Sequence, residues 1–148
     1  MRKYFTLLFI IFLFSSCNKI ENTSTLNQED IHFIKSLKLL ENGEKIYSFY
    51  SEFTNEKAGN FFTDKRIAKY WIDKRNSKRN GIDFAYYKDI SKIDTVYNAG
   101  ATYCPYLLIT KTNGSSFKVS VDGEKEDVKI FFEDALREWR KDIAHSKK

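Results

Sequence analysis

Along the chain the spacing of apolar residues changes three times. Arg2-Lys3 precede residues 4–14, eleven positions of which only Thr6 is polar. A helical bilayer span takes about 20 apolar residues, so this run has instead the charged start and short apolar middle of an export signal. Residues 18–25 are polar and read as a flexible spacer. Between residues 27 and 41 the period becomes helical. At 100° per residue, Phe33, Ile34, Leu37 and Leu40 share one arc, while Lys35 and Lys38 point away. Asn27 is placed to cap the first free amides, Leu26 to meet Ile31 across the cap, and Asn42-Gly43 to end the helix. His32, with no nearby ligand or base, reads as a surface residue at the margin of this helix.

From residue 44 to 122 the period falls to two, and strands are expected over residues 45–53, 61–64, 67–73, 82–88, 93–98, 102–111 and 117–122. Residues 54–60, with Gly59, read as a turn. Ala68, Tyr70 and Ile72 alternate with Lys69, Trp71 and Asp73; Ile82, Phe84 and Tyr86 share a face; Phe117, Val119 and Val121 face inward. Pro105 sits where a missing amide does least harm, near a strand start or on an edge. Asn113-Gly114 is the strongest hairpin signal, since both residues tolerate positive φ. Over residues 127–145 the helical period returns. Val128, Phe131, Phe132, Ala135, Leu136, Trp139 and Ile143 fall on an arc of about 140°, with Ile130 opposite. A stripe of this size reads as core. The expected fold class is mainly β with helices (α+β): seven antiparallel strands in two sheets forming a partly open barrel, with an N-terminal helix and a C-terminal amphipathic helix over one end.

Composition narrows the function. With 148 residues, 16% aromatics and a single Pro, the chain is expected to fold as one packed domain. Taking Arg2 and Lys3 from the 25 basic residues leaves 23 against 20 acidic, a net charge of +3. That excess is too small for a dedicated nucleic-acid binder, which needs many phosphate contacts. There is no Gly-rich phosphate loop, no nucleophile in a recognisable context with His, and no metal-ligand spacing, so neither an enzyme nor a cofactor is expected.

Leu13-Phe14-Ser15-Ser16-Cys17 resembles the lipobox of bacterial lipoproteins, with Phe14 where an aliphatic residue is more usual. The plain alternative is an ordinary signal peptide with an incidental cysteine. The resemblance implies a signal peptide over residues 1–16, a lipidated Cys17 opening a tether over 17–26, and a single domain over 27–148. It also implies residence in the cell envelope. By the sorting rule of enterobacteria, the absence of Asp at position 18 points to the outer membrane. An acylated Cys17 leaves Cys104 without a partner, which excludes an intramolecular disulfide.

Gly43-Glu44-Lys45-Ile46, residues 59–67 with Thr63-Asp64-Lys65-Arg66-Ile67, and residues 82–90 ending in Asp89-Ile90 resemble the early strands and turns of bacterial pleckstrin-homology-like domains. A different small barrel with a helical cap is the other all-β reading. The resemblance implies a recognition scaffold, not a catalyst. Eukaryotic relatives hold phosphoinositides through basic residues around the loop joining the first two strands. Here residues 54–60 carry only Lys57 beside Glu56, so that route is not expected. The positive charge lies at Lys65, Arg66, Lys69, Lys74, Arg75, Lys78 and Arg79, against Asp73 alone within residues 65–80. This cluster is the candidate contact for an acidic protein partner or for anionic lipid, or else a solvated loop. Tyr70, Trp71, Tyr86 and Tyr87 beside it read as an aromatic contact surface or as sheet packing. The leading expectation is an adaptor or assembly factor for an envelope protein; the alternative is an inhibitor or immunity-type lipoprotein acting on a toxin or hydrolase. Acyl chains at Cys17 would anchor the chain by about 0.8 kcal/mol per buried methylene. Cys17→Ser is therefore expected to release the chain from membranes or leave it unprocessed, and an unchanged acyl content by mass spectrometry would contradict the assignment.

Overall fold

The computed structural model describes residues 20–101 and 103–146. The expected export signal, residues 1–16, and Cys17 lie outside the described residues. The elements run α1 (Gln28–Ser36), β1 (Ile46–Tyr50), β2 (Ala58–Thr63), β3 (Arg66–Trp71), β4 (Gly81–Tyr86), β5 (Ile90–Val96), β6 (Tyr106–Lys111), β7 (Ser116–Ser120) and α2 (Lys125–Ser146). Short 3-10 turns occupy Ser77–Arg79 and Tyr87–Asp89. The first four strands form one antiparallel sheet in the order β1-β2-β3-β4, and the last three form a second in the order β5-β6-β7. These are the seven strands and the C-terminal helix that the periodicity predicts. The two sheets remain separate and do not close on one another.

The four-stranded sheet is the middle layer of three. Phe49, Phe61, Ala68 and Tyr70 face α1, where Ile31, Ile34, Leu39, Leu40 and Ile46 complete one core. Tyr50, Phe62, Ile67 and Ala85 face the other way, into a second core with Leu107, Ile109, Val119 and the α2 residues Val128, Phe131, Phe132 and Ala135. Phe62 and Phe131 meet edge to face, with centroids 5.1 Å apart. Ile130, opposite the α2 stripe, is exposed. The Tyr87 hydroxyl donates to the Thr63 carbonyl at 2.6 Å and ties the corner between the sheets to β2.

Helix α1 starts as predicted: Asn27 accepts from the Asp30 amide at 2.8 Å, and Leu26 and Ile31 are both buried. It ends five residues early. Lys38 turns left-handed, at φ 61°, and the Leu39 amide reaches back to the Ile34 carbonyl. A continued helix would carry Leu39 about 140° from Ile34, onto the wet face. The turn instead buries Leu39 and Leu40 together. Burying a leucine stabilises by about 2 kcal/mol, which offsets the roughly 1 kcal/mol of a left-handed lysine.

Two other expectations change, on residues 20–26 and on Gly59, while the shared face of β4 is kept. Residues 20–26 are not a loose tether: Glu21 and Phe49 exchange backbone hydrogen bonds at 2.8 and 2.7 Å, and the Thr23 amide donates to the Ile46 carbonyl at 3.1 Å. These bonds, with the burial of Leu26, cover the free edge of β1. On β4, Ile82, Phe84 and Tyr86 share the half-exposed face, and the residue turned into the second core is Ala85. Gly59 lies in β2, not in a turn, paired with Tyr70. A Cβ there would stand 2.5 Å from the Tyr70 ring and 2.7 Å from Phe49. Gly59→Ala must push those rings out of a packed layer and is expected to destabilise the fold by about 1–3 kcal/mol; an unchanged denaturant midpoint would show that the layer yields.

Candidate functional site

The basic residues of positions 65–79 divide into two groups. The turn between β2 and β3 is only Asp64-Lys65, so Arg66 opens β3 beneath it and is 1% exposed. Its Nε donates to Glu44 Oε1 at 2.9 Å, and its Nη2 to Glu44 Oε2 at 2.8 Å and Glu41 Oε1 at 2.7 Å. The guanidinium lies 4.4 Å from the Tyr86 ring centroid and 5.2 Å from that of Phe84. Thr63 Oγ1 donates to Glu44 Oε1 at 2.6 Å, and the Glu41 amide donates to Glu44 Oε2 at 2.9 Å. The buried carboxylate is thereby bonded at both oxygens. Arg66 is consumed by this cluster and offers no contact to a partner, contrary to its place among the candidate contact residues. Lys65 pairs with Glu41 at 2.8 Å, and Lys69 with Asp83 at 3.6 Å. Both stand apart from the rest of the basic group.

The remaining basic residues form the other group. The β3–β4 loop, residues 72–80, folds on its own polar side chains. Asp73 Oδ1 accepts from the amides of Arg75 and Asn76, Asn80 Oδ1 from the amide of Asp73, and Asn76 Oδ1 from the amide of Lys78. With its backbone so occupied, the loop exposes Lys74, Arg75, Lys78 and Arg79. Lys74 reaches Glu56, and Arg79 stands 4.0 Å from Asp73. Among the described residues, Arg75 and Lys78 form no ion pair.

The β1–β2 loop, residues 51–57, lies alongside. The Ile72 amide donates to the Lys57 carbonyl at 2.7 Å. Lys57 Nζ stands 4.5 Å from the Phe53 ring centroid and 4.9 Å from that of Trp71. Phe53 and Trp71 meet edge to face at 5.1 Å and are 46% and 38% exposed. Between the two loops opens a cleft of about 620 Å³, lined among others by Lys57, Trp71, Lys74, Arg75 and Arg79. Sequence reasoning placed Trp71 beside the basic loop but left out Phe53 and set Lys57 aside. The signal lay in the hairpin register: pairing Ala58 with Trp71 sets Lys57 next to Ile72.

No family model and no curated protein matches the sequence. Among solved structures, the chain is similar to the crystal structure of a DUF1696 family protein with a pleckstrin-homology domain from Shewanella loihica PV-4. The TM-score is 0.49 at 11% identity, covering 80% of this chain and 97% of that one. The architecture described above stands on the chain's own strands and helices.

Other candidate chemistry is sparse. Among the described residues Cys104 is half-buried and unpaired, and partial burial raises its thiol pKa, so little thiolate is present at neutral pH. Among the described residues no group of three or more His, Cys, Asp or Glu is placed to hold a metal ion. Burial, ahead of the Asp30 charge, raises the Tyr70 phenol, and its hydroxyl donates to the Asn55 carbonyl in the β1–β2 loop. Tyr70 therefore holds the β1–β2 loop from within the α1 core, whereas Tyr87 lies in the second core at the opposite end of the sheet, bonded to Thr63.

The buried cluster generates two predictions. Arg66→Ala leaves Glu44 buried and uncompensated and is expected to cost about 3–5 kcal/mol; a denaturant midpoint near that of the parent would refute the structural role. Hydrogen bonds from Lys65 and Tyr86 hold Glu41 at about 2, below its ordinary 4.5. A carboxylate depressed on folding contributes stability that is fully present above its unfolded value and is lost as the pH falls towards the folded one. Glu41→Gln should therefore flatten the fall in stability between pH 4.5 and 2. Parallel stability curves for parent and variant across that window would contradict the assignment.

Proposed function

We propose that this chain is a lipid-anchored, non-enzymatic binding module of the bacterial cell envelope, an adaptor or assembly factor on a pleckstrin-homology-like scaffold. Its recognition face is the basic cleft between the β1–β2 and β3–β4 loops. The observation that carries this reading is the convergence of Lys57 with Lys74, Arg75 and Arg79 around the exposed pair Phe53 and Trp71. Cations beside an exposed aromatic edge suit a ligand that presents several negative charges close together. Acidic protein segments and anionic head groups both have that chemistry. The remaining parts of the reading, Cys17 acylation and envelope residence, rest on the N-terminal sequence.

Trp71 reports on the cleft directly. In a Trp139→Phe background, its emission is expected to respond to poly-glutamate or to phosphatidylglycerol vesicles, and the response should fade as salt screens the charges. Replacing Lys74, Arg75, Lys78 and Arg79 with Ala should weaken the response at least about tenfold, each basic group near an anionic surface contributing about 1 kcal/mol. A response equally strong in the substituted protein, or none with either probe, would leave the loop as a solvated surface.

A further inference from the structure

The cleft has a chemistry, and the N-terminal strand supplies a direction. Because residues 20–23 run antiparallel to β1, the chain followed backwards from Glu21 heads towards the end of β1 that enters the β1–β2 loop. Glu21 reaches that loop itself: its carboxylate accepts from the Asn55 side-chain amide at 3.3 Å, and the same amide donates to Asp30 at 2.9 Å. The β3–β4 loop lies at the same end of the sheet, since β3 runs antiparallel to β2. With neighbouring strands about 4.8 Å apart, three strand spacings separate the N-terminal strand from β3, or about 15 Å. Ile20 packs against the second core, so the strand is seated up to its first described residue.

Three peptide units join Ile20 to Cys17, and fully extended they reach at most about 11 Å. A domain of this size is roughly 35 Å across. If Cys17 is in the bilayer, only the faces that meet at Ile20, the loop end and the neighbouring β1 edge, can touch the lipid. The loop end carries the cleft.

We infer that the docked segment 20–26 is an orienting strap, and that the cleft's partner is the anionic lipid surface of the membrane in which the chain is anchored. The inference rests on the lipid-anchored binding module proposed above. In the two loops, Lys57, Lys74, Arg75, Lys78 and Arg79 outnumber Glu52, Glu56 and Asp73. An 11 Å reach keeps this end about one Debye length from the bilayer surface, where head-group charge is incompletely screened. Phe53 and Trp71 sit at the rim of the same end, amphipathic or apolar rings beside a cation, as suits the head-group level of a bilayer. An acidic protein would have to enter a gap no wider than the reach of the strap. The lipid surface is already there.

The test uses the mature, acylated chain in vesicles of phosphatidylcholine, with and without phosphatidylglycerol, doped with lipids brominated near the head-group end of the acyl chains. Trp71 is isolated by Trp139→Phe, and a Trp71→Phe chain reports Trp139 at the far helix. Should the first substitution loosen α2, Trp71's share is the parent signal less that of the Trp71→Phe chain. Trp71 is expected to be quenched several-fold more than Trp139, and more with phosphatidylglycerol present. Quenching should be lost when Lys74, Arg75, Lys78 and Arg79 become Ala, and should fall to the Trp139 level when a long Gly-Ser segment is inserted between Lys19 and Ile20. Equal quenching of the two tryptophans in a chain whose mass shows acylated Cys17 would overturn the inference. If Trp71 stayed unquenched yet responded to poly-glutamate, the cleft would belong to an acidic protein: the inference would fail and the binding module would stand. A mature chain without an acyl group would overturn the anchor and the strap together.

Discussion

Phe61 and Phe62 are neighbours on β2 and both are fully buried. Consecutive side chains on a strand point to opposite faces, so the four-stranded sheet has to be covered twice. On one side α1 and the turn through Lys38, which brings Leu39 and Leu40 down together, supply the cover. On the other the three-stranded sheet and α2 do so. Gly59 belongs to the same constraint, because the Phe49 and Tyr70 rings close over it where a side chain would stand. Even the N-terminal strand serves the sheet, satisfying the backbone at the β1 edge that would otherwise be open to another chain.

The tight β2–β3 hairpin also sorts the basic residues. With two residues in the turn, Arg66 falls inside the sheet and must find carboxylates. Glu41 and Glu44, on the loop that leads into β1, supply them. That cluster joins α1's exit to the hairpin and leaves no charge over for a partner. At the opposite end of the same strands the sheet is uncovered, and the loops of residues 51–57 and 72–80 carry their cations outward around Phe53 and Trp71. One hairpin thus places a structural arginine at one end and an exposed basic cleft at the other, in a stretch whose charge looks continuous along the sequence.

The entry path of the chain gives that surface its setting. With the lipid anchor proposed above, a loose tether would let the domain turn any face to the membrane. The bridge between Glu21 and Phe49 removes that freedom and brings the chain in at the end where the cleft opens. On the proposed anchoring, anchor and cleft would act on the same surface, and acyl chains and side-chain charge would not compete for the orientation of the domain.

The sequence by itself determined the element types and their order. The stripe from Val128 to Trp139, the cap at Asn27, the Asn113-Gly114 turn and the alternation from Phe117 to Val121 are local signals, because each reports the faces of one segment against its own axis. From them followed the seven strands, the closing helix and the exposed position of Ile130. Tertiary structure decided what each face meets. That Gly59 lies under two rings, that Arg66 is buried against Glu44, and that Lys57 joins Lys74 across a cleft are contacts between residues distant along the chain or on neighbouring strands. No local period carries that information. The docking of residues 20–26 is of the same kind: their polar composition reads as linker, and only the open edge of β1, assembled from residues more than twenty positions away, bridges Glu21 to Phe49 and seats them.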